Sequence, residues 1–287
     1  MSELSIDYSD IVYKLDRIES WLKNRNVETK NTRIDFLIRN VKLIEKAYKT
    51  DLKSLGNMST EEFIFSLMDS YSFINIYEQF HNKPTNFIGS NKYREIIKEP
   101  FLSSEEISGS KNVNPRNFFF ELELSAKLNQ NGINVIGFDD LKFDFEKIIF
   151  LTECKRLFSE KNLSYNIKHA TNQLYKKIKT SENGIIALSL EKIFKLDEKI
   201  LRVNHFKDIN KEIMKLSHKF ISKNKEMLRS INNDRIVGYF LVFKFFAEVK
   251  QTRITPCTCF IIITYPICKK TNIAYKILKN LGNTIKL

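Results

Sequence analysis

At 287 residues, with 43% hydrophobic and 12% aromatic side chains, the chain is long enough to bury a full core as one large domain or two smaller ones. Eight glycines, five prolines and 28% charged residues exclude a largely disordered or low-complexity chain. The excess of 47 basic over 34 acidic residues, a net charge of +13, favours an anionic partner, with nucleic acid ahead of an acidic membrane surface. Part of that excess is background, because Lys and Asn are used heavily throughout. Four cysteines, Cys154, Cys257, Cys259 and Cys268, do not form a secreted disulfide framework, and no apolar leader follows Met1. The longest apolar runs, "GYFLVFKFF" and "CFIIITYPIC", are too short or too interrupted to span a bilayer. A reduced, cytoplasmic protein is expected.

Along the chain, Ile11, Leu15, Ile18 and Leu22 repeat at helical steps, and Phe36, Val41, Ile44 and Tyr48 do so more loosely. In "NMSTEEF", Ser59 or Thr60 is a candidate cap ahead of acidic first-turn residues. Residues 1–105 are therefore expected to form an all-helical N-terminal domain, for targeting, regulation or self-association. Pro84, Gly89, Pro100 and Gly109, with clustered Ser and Asn, mark 82–114 as a connection. A different pattern then begins: helix 116–131, strands near 133–138, 141–145 and 148–155, helix 164–180 and strand 184–190. A long amphipathic helix near 208–230 and two strand-like runs, "RIVGYFLVFKFF" and "TCFIIITYPI", follow. This α-β-β-β-α-β order with additions predicts an α/β domain over 106–287, a mixed sheet flanked by helices.

The stretch "DDLKFDFEKIIFLTECKR" is unusual because a core-like strand ends in charge. If the hairpin turn centres on Glu146 and Lys147, Asp140 sits across from Glu153. Strand alternation puts Glu153 and Lys155 on one face and Cys154 on the other. On the preceding helix, Glu121 falls within the arc of Phe118, Leu124, Ser125 and Leu128, whereas Glu123 falls on the far side and is expected to be solvated. An acid on the buried arc must be neutralised, paired or bound to metal.

These residues resemble the D…(D/E)XK signature of the PD-(D/E)XK, or restriction-endonuclease-like, nuclease superfamily. Asp140, Glu153 and Lys155 match the motif, Cys154 occupies X, and "FFELELSAKLNQNGINV" is similar to the first core helix, with Glu121 its acid. Gln173 in "HATNQLYKKI" is similar to a glutamine that several nuclease branches carry on the next helix. The resemblance covers about residues 116 to 190. The proline of the name is absent, with Asp139 in its place. Asp139, Asp140 and Asp144 all compete as the first acid. Asp144 lies four residues from the position opposite Glu153, about 13 Å along a strand, so Asp140 is preferred.

The resemblance implies a restriction-endonuclease-like αβββαβ core and Mg²⁺-dependent phosphodiester cleavage, with Mn²⁺ as a substitute ion. Asp140, Glu153 and the carbonyl of Cys154 would be metal ligands, and Lys155 would orient water or offset transition-state charge. Glu121 and Gln173 would complete the catalytic set. DNA is the expected substrate, in defence or repair. A catalytically inactive nucleic-acid-binding module and a regulated RNA-cleaving nuclease are the alternatives. Between Lys155 and Lys179 seven basic residues stand against one acid, Glu160, and Arg156, Lys168, Lys176 and Lys177 are candidate phosphate contacts. His169 reads as a helix-surface residue, and Tyr165 and Tyr175, which could stack on bases, read first as packing residues. Cys257, Cys259 and Cys268 lack a nearby fourth ligand, so zinc is not expected.

Overall fold

The computed structural model describes residues 7–84, 87–98, 114–137, 141–194, 200–231, 233–250, 257–269 and 273–285. The chain divides into two compact units, Met1–Ala126 and Lys127–Leu287.

In the first unit the described elements are helical: α1 (Tyr8–Lys23), α2 (Arg33–Lys49), α3 (Thr60–Phe80), α4 (Ser90–Ile97) and most of α5 (Asn114–Gln130). Helix α1 starts where Asp7 accepts from the Ser9 and Asp10 amides, and it buries Ile11, Leu15, Ile18 and Leu22 as the spacing predicts. Helix α3 starts where the Ser59 hydroxyl accepts from the Glu62 amide at 3.0 Å, so Ser59 rather than Thr60 is the cap. The buried stripe of α2 is Ile34, Leu37, Ile38, Val41 and Ile44. Val41 and Ile44 are buried as expected, but Phe36 is only half-buried and Tyr48 is exposed, because Leu37 and Ala47 take the buried positions beside them. Helix α4 lies in the stretch expected to be a bare connection, where Tyr93, Ile96 and Ile97 supply its buried face.

A buried charge cluster ties these helices together. Asp69 of α3, 1% exposed, lies 3.3 Å from the Arg116 guanidinium and 4.0 Å from Arg33 Nε. Arg33, with no exposed surface, also donates to the Ile96 carbonyl of α4 at 3.1 Å. Both guanidiniums lie 5.8 Å from the Phe119 ring centroid. Two cations thus share one buried carboxylate and one aromatic face.

The second unit is built on a seven-stranded mixed sheet, giving the chain a mixed α/β fold. Its elements are β1 (Asn134–Gly137), β2 (Leu141–Phe145), β3 (Ile148–Arg156), α6 (Leu163–Lys177), β4 (Glu182–Ser189), β5 (Ile200–Val203), α7 (Phe206–Lys223), α8 (Lys225–Arg229), β6 (Ile236–Val249), β7 (Cys257–Pro266) and α9 (Ile273–Thr284). The strand order is β1-β2-β3-β4-β6-β5, with β7 also on β6. Strands β1, β2 and β3 form an antiparallel meander, and β3, β4 and β6 run parallel. The amphipathic helix expected over 208–230 is two helices, broken at Asn224. The sheet buries Leu151, Ile186, Leu188, Tyr239 and Leu241 in one apolar cluster with Leu163, Ile167, Ala170 and Leu174 of α6 and Ile213 and Phe220 of α7.

The β2–β3 hairpin closes through Glu146 and Lys147, both with positive φ (52° and 65°), as a two-residue type I′ turn requires. Phe145 pairs with Ile148 and Leu141 with Thr152, the register that the turn position predicts. Across the sheet, Lys142 donates to Glu182 at 2.5 Å, and the Lys179 amide donates to the same carboxylate at 3.0 Å. Burial pushes the Glu182 carboxyl up, but these two donors outweigh burial and hold it below the usual carboxylate range. Its stabilisation is therefore present above the unfolded-state value of about 4.3 and is lost as pH falls through the lower folded-state value. Glu182→Gln should cost about 2 kcal/mol near neutrality. In urea melts the gap to wild type should narrow in acid, and a gap undiminished near pH 2 would contradict this account.

Candidate active site

Strand β3 carries the site because its two halves sit in different surroundings. Phe150, Leu151 and Thr152 are buried, and Glu153 to Arg156 are half-buried. Strand β4 stays paired alongside the second half, from Glu153↔Ile186 to Arg156↔Ser189. The described pairing with β2 ends at Leu141↔Thr152. Asp139 and Asp140 lie outside the described residues. The observed pairing is nonetheless the register from which Asp140 was placed across from Glu153. Asp144 pairs with Ile149, four residues before Glu153.

Backbone direction follows from one hydrogen bond. The Leu157 amide donates to Ser189 of β4. Because peptide groups alternate sides along a strand, those of Glu153 and Lys155 also face β4, and that of Cys154 faces the opposite edge. The Cys154 carbonyl thus points to the side where β2 ends.

The side chains converge on Lys155. Its ammonium donates to Glu153 Oε1 at 2.8 Å and to Gln173 Oε1 of α6 at 2.6 Å. Glu153 and Lys155 are 12% and 15% exposed, sheltered but open to solvent. A second cation, Lys177 Nζ, lies 3.8 Å from Glu153 Oε2. Sequence reasoning assigned Lys177 to the phosphate-tracking surface and missed this pairing. The available signal was the four-residue step from Gln173, which puts both side chains on one flank of α6.

The other expected residues are dispersed. Arg156 lies 5.4 Å from the ring of the partly exposed Phe158. Lys168, His169 and Lys176 are exposed on α6. Tyr165 and Tyr175, expected to be packing residues, are each 71% exposed. They miss the core because the buried stripe of α6 is already filled by Leu163, Ile167, Ala170 and Leu174.

In the helical unit, Glu121 is paired rather than bare, accepting from Lys92 of α4 at 3.1 Å. Glu123 was expected in solvent and is instead buried. Helix α5 is buried round most of its circumference, with Phe120, Leu122, Leu124 and Ala126 among its buried positions, so the side expected to face solvent is covered as well.

Among the described residues, no three His, Cys, Asp or Glu side chains gather as a metal-binding group. Those residues do contribute hard oxygen donors, the Glu153 carboxylate and the Cys154 carbonyl, which suit Mg²⁺ or Mn²⁺ better than a thiophilic ion. Among the described residues no helix is long and apolar enough to cross a membrane. No family model, curated protein or solved structure matches the chain.

Proposed function

We infer that the chain is a metal-dependent nuclease hydrolysing nucleic-acid phosphodiesters, with DNA the favoured substrate and a restriction-endonuclease-like core holding the site. The observation that carries this reading is the Lys155 ammonium, fixed between Glu153 and Gln173 at the end of a parallel strand. Open α/β sheets hold ligands at such strand ends. A surface ion pair would gain little from a third, buried-flank partner; a lysine that must meet a developing charge gains a fixed position.

In hydrolysis a water oxygen bonds to phosphorus, one P–O ester bond breaks, and the departing oxygen takes a proton. When bound, Mg²⁺ or Mn²⁺ would polarise the phosphate and acidify the water. Glu153 would supply a carboxylate to hold that ion, with the Cys154 carbonyl at the same strand end. Lys155 offsets charge on the phosphoryl oxygens, and Gln173 fixes its ammonium. Arg156, Lys168 and Lys176 supply positive charge for flanking phosphates. Asp140 enters on the hairpin register and the resemblance, and Glu121 on the resemblance alone. A catalytically silent binding module is the second reading. It draws on the two lysines that already neutralise Glu153.

The test is incubation of the protein with supercoiled plasmid, linear duplex, single-stranded DNA and RNA, in Mg²⁺, Mn²⁺ or EDTA. Cleavage of at least one substrate in either metal and none in EDTA is expected. Tight binding without cleavage would hand the lead to the silent module. No binding at moderate salt would remove both readings.

A further inference from the structure

Helix α6 has a second face that the site does not use. With successive residues turning about 100°, Tyr165, Lys168, His169, Asn172, Tyr175 and Lys176 fall within an arc of about 120°. All six are exposed. The buried stripe of Leu163, Ile167, Ala170 and Leu174 lies opposite, and Gln173 and Lys177 lie on the flank between the two. The exposed arc therefore borders the flank that reaches Glu153 and Lys155.

Its composition is selective. From Lys161 to Ser181 the chain contains no Asp or Glu, and the arc alternates lysines with aromatic rings. Tyr165 and His169 present nearly parallel ring planes, with centroids 6.0 Å apart and an interplanar angle of 16°. Two tyrosines left 71% exposed give up the burial that usually places this residue partly inside. Ten residues of helix separate them, about 15 Å, a span that several nucleotides of an extended strand would cover.

We propose that this face is a stacking track for unpaired nucleotides, so that the substrate is presented to the site single-stranded or locally unpaired. The inference rests on the nuclease reading only for what happens after binding. Lysines alone would serve a duplex as well as a single strand, since phosphates are displayed on both. Exposed ring planes discriminate, because base faces inside a duplex are covered by their neighbours and those of a single strand are open to stacking. Tyr165 with His169 forms one platform and Tyr175 a second, with Lys168 and Lys176 beside them for the backbone. DNA and RNA share this chemistry.

The experiment measures equilibrium binding in EDTA of a labelled 20-nucleotide single strand, as DNA and as RNA, and of the matching blunt DNA duplex. Wild type should favour the single strands. Tyr165→Ala with Tyr175→Ala should weaken single-strand binding tenfold or more, since two bases lose their stacking platforms, and should leave duplex binding within about twofold. Tyr165→Trp with Tyr175→Trp should restore it. Lys168→Ala with Lys176→Ala should weaken both forms and flatten the salt dependence. A wild-type preference for duplex, or equal losses on both forms in the alanine pair, would overturn the inference. Parallel cleavage assays in Mg²⁺ separate the two ideas. Tyrosine-dependent single-strand binding without cleavage sinks only the nuclease reading, and equal cutting of both forms with silent tyrosines sinks only the stacking track. Failure of wild type to bind any of the three would overturn both.

Discussion

Glu153→Gln is expected to slow single-turnover cleavage by about a hundred- to a thousandfold, the cost typical of removing one electrostatic contact to a transition state. The substitution is nearly isosteric, and its amide oxygen can still accept from Lys155, so position survives and charge is lost. Melting temperature should change little, because the side chain sits at the half-buried end of β3 rather than among Phe150, Leu151 and Thr152. Nucleic-acid affinity should be kept or rise, since the site becomes more positive beside Lys155 and Lys177. Retained binding with lost turnover is the signature of a group that acts mainly during reaction. Asp144→Ala, at the Ile149 register four residues away, should remain active. A Glu153→Gln rate within about tenfold of wild type would remove this carboxylate from the chemistry.

Asp69→Ala should unfold the helical unit more readily than any surface change. It removes the carboxylate between Arg33 and Arg116, and breaking a buried ion pair from one side typically costs about 3–5 kcal/mol. The penalty arises because the guanidiniums stay in surroundings that exclude water, with Arg33 fully buried and Arg116 nearly so. The chain's single tryptophan gives the readout. Trp21 meets the rings of Tyr77 and Tyr93 edge-on, at 5.4 and 4.9 Å, so its fluorescence follows this unit. A denaturant midpoint within experimental scatter of wild type would mean that the cluster does not hold the helices.

Much of the sheet region could be read from the sequence, because there local and long-range signals agree. The turn at Glu146 and Lys147 fixed the pairing of Leu141 with Thr152, and alternation fixed the shared face of Glu153 and Lys155. Both arguments need only nearest neighbours. Gln173 lies 18 residues beyond Lys155, and only the resemblance brought it to the site. The pairing of Lys177 with Glu153 was not legible because charge alone cannot tell a lysine that meets a carboxylate from one that meets solvent. Glu123, Tyr165 and Tyr175 failed for a related reason. Periodicity shows which residues of a helix share a face, but not how many of its faces are covered. The four-residue strand β5 and helix α4 were missed because each is short and flanked by turn-forming or polar residues.

The parallel centre of the sheet also sets an order of assembly. Phe145 and Ile148 are three residues apart, so the β2–β3 hairpin closes on a microsecond scale. Ile149 meets Glu182, 33 residues later (182 − 149), and Gly184 meets Ile236, 52 later (236 − 184). Contacts that distant form slowly, since the intervening loop entropy is lost before the pairing is gained. On the ribosome, β4 has no partner on its far side until β6, ending at Val249, has emerged. The first unit can fold while the strand end that carries Glu153 and Lys155 is still only half framed. Under the proposed function, nascent chains that stop short of β6 would be inert as nucleases, because the strand end that carries Glu153 and Lys155 would still lack its full frame.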